Sequence, residues 1–101
     1  MKFVTYSING KPRFGFKKDL YIVDIQYSAQ FLKEAYQNID FLDLPKSLKE
    51  ALANWNTNLK NIKKLNNILN NEDLEKSTIK GNSIAQLESN VNLLSPIQNP
   101  P

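Results

Sequence analysis

Histidine and cysteine are both absent from the 101 residues, so any chemistry must rest on carboxylates, amines, hydroxyls and phenols. Without histidine there is no ordinary general base near neutral pH, and the commonest metal ligand is missing. Without cysteine there are no disulfides, thiolate nucleophiles or cysteine-based zinc and iron–sulfur sites. Close carboxylates occur twice, as Asp40-x-x-Asp43 and as Glu72-Asp73-x-Glu75. A hard cation needs several converging oxygens on a loop of fixed spacing, with a glycine at its sharp turn. Neither group has such a loop, and both read as solvated acidic segments. Tyr21, Lys80 and Ser83 have no partner base in any nucleophile arrangement. Gly10, Gly15 and Gly81 lie too far apart to form a phosphate-cradling loop. No catalytic, cofactor-binding or metal-ligating residue is expected in this chain.

Two further features could bind rather than react. The first eighteen residues carry Lys2, Lys11, Arg13, Lys17 and Lys18 and no acid, with Tyr6, Phe14 and Phe16 interleaved. A basic sheet face bearing aromatics is what single-stranded nucleic acid requires. Strand alternation sends many of these aromatics into a core, however, and no recognition motif accompanies the charge. The remaining segments are close to balance, at −3 over 19–50, +3 over 51–71 and −2 over 72–101. Nucleic acid is therefore disfavoured as a partner. Trp55 could anchor a partner, but a tryptophan on a helical apolar stripe is more often core.

The elements that must position these groups follow from periodicity. Residues 1–8 read as a strand rich in Phe, Val, Thr, Tyr and Ile. Asn9-Gly10 accepts positive φ at both places and marks a tight hairpin. Arg13–Phe16 gives a second strand, within which Gly15 implies a bulge or a close backbone approach. Leu20–Ile25 gives the third, completing an antiparallel meander over 2–25. The period then becomes helical. Ser28 is the expected cap of a helix whose apolar face is Phe31, Leu32, Ala35, Tyr36 and Ile39. Asp40–Leu44 reads as a connection, and Pro45 suits the first turn of the next helix. Leu48, Leu52, Trp55, Leu59, Ile62, Leu65 and Ile68/Leu69 form a stripe. The weak helix formers Asn54, Asn56, Thr57 and Asn58 divide it into helices near 46–53 and 57–70. Residues 72–86 are polar, with a turn at Gly81-Asn82-Ser83. Val91–Leu94 reads as a short strand, its place in the sheet left open, and the prolines of 95–101 hold an extended segment.

The fold class expected is thus α+β: a small three-stranded antiparallel meander, two or three helices and a short terminal strand. The apolar run at the N-terminus, Phe3-Val4, is too short for a signal peptide. No stretch approaches the ~20 apolar residues of a spanning helix. A cytoplasmic chain without membrane contact is the expectation.

The order of these elements carries a resemblance. Thr5-Tyr6, Gly10, Arg13-Phe14-Gly15 and Val23-Asp24-Ile25 resemble the opening of fumarylacetoacetate hydrolase family proteins. In these a strand ending in Thr-Phe or Thr-Tyr is followed by a glycine turn, an Arg-x-Gly strand, and a strand ending in Val-Asp-Leu or Val-Asp-Ile. Leu93-Leu94-Ser95-Pro96-Ile97-Gln98-Asn99-Pro100 is similar to that family's Leu-Leu-x-Pro-Ile-x-x-Pro junction. The helical middle is only loosely similar. The resemblance implies a small N-terminal domain over 1–94 and a Pro-rich interdomain junction over 95–101, truncated before the catalytic domain. The parent activity is metal-dependent C–C hydrolysis, decarboxylation or isomerisation of oxo acids, with magnesium or manganese held by Asp and Glu beyond the junction. No family catalytic residue maps onto a position here. The chain is accordingly expected to be non-catalytic, without a cofactor of its own. Its partner would be a catalytic domain of the family, in cis or as a separate chain, with a homo-oligomer left open. Surface on the third strand and residues 91–97 is expected to be exposed if that domain is absent. The competing reading is a stand-alone interaction module that binds a separate subunit.

Overall fold

The computed structural model describes residues 1–36 and 44–94. Three strands open the chain: β1 (Lys2–Ile8), β2 (Lys11–Lys18) and β3 (Tyr21–Asp24). They form the expected meander, in register Tyr6 opposite Arg13 and Gly15 opposite Asp24. Asn9 and Gly10 take φ of 53° and 79°, so the two-residue loop is satisfied by the residues that best tolerate this backbone. Helices α1 (Ile25–Ala35), α2 (Leu48–Ala53) and α3 (Trp55–Leu69) follow, then β4 (Thr78–Ile79), β5 (Asn82–Ser83), β6 (Ala85–Leu87), a short 3-10 turn over Glu88–Asn90, and β7 (Asn92–Leu93). The main sheet has strand order β6-β3-β2-β1-β7, and β4 and β5 form a separate ribbon. The fold class is α+β.

The β6–β7 connection dictates the shape of the sheet. Five chain steps from Leu87 to Asn92 reach at most about 18 Å, whereas four flat inter-strand spacings measure about 19 Å. The sheet must curl so that its two edges approach. Strand alternation then divides the apolar residues between two faces. Phe3, Phe14, Phe16, Val23 and Ala85 join Ile25, Leu32, Ile62, Leu65, Leu69 and Ile84 in the helix-side core. Val4, Tyr6 and Ile22 form a smaller core on the opposite face, where Ile8 and Val91 pack on them. Val91 belongs to the connection that crosses this face.

Several boundaries differ from the periodicity reading, each for a physical reason. Helix α1 starts at Ile25, capped by Asp24, whose carboxylate accepts from the Tyr27 backbone N–H at 2.8 Å. Ser28 is not the cap: it is buried inside the helix, and its hydroxyl donates to the Ile84 carbonyl at 3.4 Å. The inward face is Ile25, Ser28 and Leu32, while Ala35 and Tyr36 are exposed. Ile39, Asp40 and Asp43 lie outside the described residues, as does 95–101. Pro45 precedes α2 rather than entering it, because Ser47 caps that helix through Glu50 N–H at 3.1 Å. The break falls at Asn54, and α3 begins two residues earlier than expected. This shifts the stripe's phase, burying Ala51 and leaving Leu52 48% exposed. Asn58 is buried on α3, where its side-chain amide donates to the Glu50 and Ala51 carbonyls at 3.3 and 3.1 Å. It thereby satisfies the end of α2, which has no intrahelical partner for those groups. Trp55 is half-buried and packs against the core, its ring edge-on to Phe3 at 5.3 Å.

The polar segment 72–86 holds the largest departure. Lys80 and Gly81 take φ of 51° and 81° and turn the β4–β5 ribbon, while β6 pairs with β3. Strands of two or three residues are too short to show alternation. The terminal strand does join the sheet, pairing β7 with β1 at Tyr6–Leu93 and Ser7–Asn92.

Gly15 shows the close approach its type implied. A Cβ there would drive into the Val23 carbonyl oxygen across the β2–β3 pair, with Tyr6 on its far side. Gly15→Ala is expected to cost about 3 kcal/mol or more through overpacking. That corresponds to a fall in melting temperature of roughly 12 °C or more, measurable by circular dichroism.

Candidate functional site

The meander ends in a cluster of polar side chains on one carboxylate. Asp24 is 1% exposed, a position where an unpaired acid would be very unfavourable. Each of its oxygens is occupied. Oδ1 accepts from the Tyr27 N–H at 2.8 Å and from Arg13 Nη2 at 2.9 Å. Oδ2 accepts from Arg13 Nε at 2.8 Å and from the Tyr6 hydroxyl. The Arg13 contact is a two-pronged ion pair of the geometry that planar guanidinium and carboxylate groups favour. Arg13 also lies over the Tyr27 ring, Cζ to centroid 3.9 Å, a cation–π contact. Strands β1, β2 and β3 and helix α1 each contribute one member.

Electrostatics follow from burial. The Tyr6 phenol is held well above its ordinary value, first by desolvation and then by the neighbouring Asp24 charge and hydrogen bond. The Arg13 guanidinium is also raised, chiefly by its hydrogen bonding to Asp24. These shifts favour the protonated phenol and the charged guanidinium. The cluster latches three strands and a helix to one another.

The groups singled out by residue type are dispersed. Tyr21 donates to Glu75 Oε1 at 2.7 Å, and Tyr36 donates to Glu72 Oε1. Both phenols are raised by these bonds. Asp73 accepts from the Glu75 backbone N–H at 3.0 Å, so the acidic trio splits between two tyrosines and its own turn. Lys80 sits in the β4–β5 turn and Ser83 on β5. Among the described residues no group of three or more acids is placed to hold a metal ion. Tyr6, Phe14 and Phe16 are all at most 3% exposed, which removes them as a stacking platform for bases. Among the described residues no helix is long and apolar enough to cross a membrane.

Two grooves remain. One, of about 380 Å³, opens beside the latch and is lined by Pro12, Arg13, Phe14, Gln26, Tyr27, Gln30 and Lys46. The other, of about 360 Å³, lies between the β2 end and α3, where Lys18 Nζ donates to Asn66 and Asn70 at 2.8 and 2.6 Å. The expected exposed surface is only partly found. Ile22 and Val23 of the third strand are buried in the cores on the two faces of the sheet, whereas Leu93 and Leu94 are 37% and 50% exposed. Residues 95–97 lie outside the described part.

Removing the latch carboxylate should be costly. Asp24→Ala is expected to destabilise by about 3–4 kcal/mol, since it strands Arg13 and Tyr6 and uncaps α1. Tyr6→Phe should cost about 1–1.5 kcal/mol. Urea unfolding monitored by circular dichroism checks both. The raised Tyr6 value also fixes a pH dependence. Above the ordinary phenol value of about 10 the unfolded chain loses this proton while the folded one keeps it, so folding weakens as pH rises. Between pH 9 and 11 the wild-type melting temperature should fall more steeply than that of Tyr6→Phe.

No family model matches this sequence, and a search of curated proteins finds no match to it. The functional reading therefore rests on the cluster, the grooves and the resemblance of the opening strands.

Proposed function

We propose that this chain is the non-catalytic N-terminal domain of a fumarylacetoacetate hydrolase family protein, giving structural support to a catalytic domain in cis or on a separate chain. One observation supports this reading above the others. The residues that carry the resemblance are the ones the fold gathers: Tyr6, Arg13 and Asp24 form the latch, and Gly15 makes room for the Val23 backbone beside it. Each is explained by the needs of a scaffold and none by the needs of a reaction. Metal-dependent cleavage, decarboxylation or isomerisation of an oxo acid would belong to the partner domain, as would the magnesium or manganese it requires.

A second reading, a stand-alone interaction module, draws on the exposed leucines. Leu20 is 72% exposed at the β2–β3 turn, and Leu87, Leu93 and Leu94 lie on the two sheet edges. Both readings require a partner, and they differ in which one.

The test mixes the chain with a separately produced catalytic domain of the family. A stable complex on size-exclusion chromatography is expected, with acylpyruvate turnover, in magnesium or manganese, confined to fractions that contain that domain. Turnover by the chain alone would end the non-catalytic reading. Failure to form any complex, alongside capture of an unrelated subunit, would favour the interaction module.

A further inference from the structure

The groove beside the latch has an arrangement that the latch itself does not use. A guanidinium offers five N–H donors, and Asp24 engages one at Nε and one at Nη2. The opposite edge of the fork, at Nη1 and the rest of Nη2, has no acceptor among the described residues. Arg13 is held from two directions, by the ion pair and by the Tyr27 ring. Its free edge is thus set in place before any ligand arrives.

A second cation stands on the same groove. The side-chain amide of Gln26 donates to the Leu44 and Pro45 carbonyls at 2.7 and 3.2 Å, fixing the backbone that carries Lys46 to the groove lining. Lys46 is exposed and has no salt-bridge partner among the described residues. Tyr27 and Pro12 supply an apolar wall, and Gln30 a further polar group. The Asp24 carboxylate is buried and fully occupied by its own partners.

We propose that this groove binds a carboxylate, with the free edge of Arg13 and the Lys46 ammonium as its partners. A guanidinium edge takes two oxygens in its own plane, a geometry that a carboxylate presents and a phosphate shares. The apolar wall favours a carboxylate on a small hydrophobic or aromatic body. The same chemistry is offered by a free carboxylic acid and by an acidic side chain of a partner polypeptide. The inference does not depend on the family reading.

The experiment follows amide and Arg13 Nε–H signals of the isotope-labelled chain by NMR. Probes are sodium acetate, sodium benzoate and a capped Gly-Asp-Gly peptide, with sodium chloride and capped Gly-Asn-Gly as controls at equal ionic strength. Saturable shifts at Arg13, Tyr27, Gln30 and Lys46 are expected with the carboxylates and not with the controls. A response to the peptide alone assigns the site to a partner polypeptide, and a response to the free acids alone assigns it to a small molecule. Lys46→Gln, at an exposed position that leaves the latch intact, should weaken binding roughly tenfold. No saturable shift with any carboxylate overturns the proposal, as does unchanged binding in Lys46→Gln.

Discussion

A carboxylate sealed from water must be fully hydrogen-bonded, and Asp24 meets that demand by drawing on four elements at once. Tyr6 reaches it from β1, Arg13 from β2 and the Tyr27 N–H from α1, while Asp24 itself ends β3. No element can slide without leaving one of these groups unpaired. In an interior of low dielectric such a network is strong when complete and costly when broken. The register of the meander and the departure angle of the first helix are therefore one constraint rather than two.

The same residue explains why strand passes to helix with no loop between them. As the last strand residue Asp24 pairs opposite Gly15, and as the helix cap it holds the first turn of α1. Gly15 is the complement of this arrangement, since any side chain there would meet the Val23 backbone. Around this corner the sheet curls, with helices packed on one face and the Glu88–Val91 connection crossing the other. Lys17 Nζ lies 3.1 Å from Glu88 Oε1 on that second face. Both side chains are about one-third exposed, so the pair adds little energy.

The meander was legible because its signals are local. Two turns determine which residues face each other: Asn9-Gly10, read directly, and Asp19-Leu20, which the structure shows where the sequence starts the third strand at Leu20. Counting outward from the first places Tyr6 opposite Arg13, and from the second Gly15 opposite Asp24. That counting, with alternation, puts all three latch side chains on one face, and it is the signal that could have revealed the cluster in advance. Ser28 and Asp24 are both good capping types, so residue type alone does not place the start of α1. Only tertiary burial, which pairs Ser28 with Ile84, distinguishes them. Strands β4 to β6 were illegible for a different reason. Ala85-Gln86-Leu87 has no strand propensity to speak of and pairs only because β3 offers it an edge. The grooves bring together residues far apart in sequence, such as Arg13 and Lys46, and no spacing rule anticipates them.

The curled sheet draws its centre and its rims from opposite parts of the polypeptide. Strands β1 to β3 come from the first 24 residues, while β6 and β7 come from 85–93. During synthesis the central hairpins leave the ribosome some sixty residues ahead of the strands that flank them. Through that interval both outer strands of the nascent meander present unpaired backbone donors and acceptors, which is the template for aggregation. Lys2 on the waiting β1, with Lys11, Lys17 and Lys18 on the central β2, carry like charges that discourage two such chains from pairing with one another.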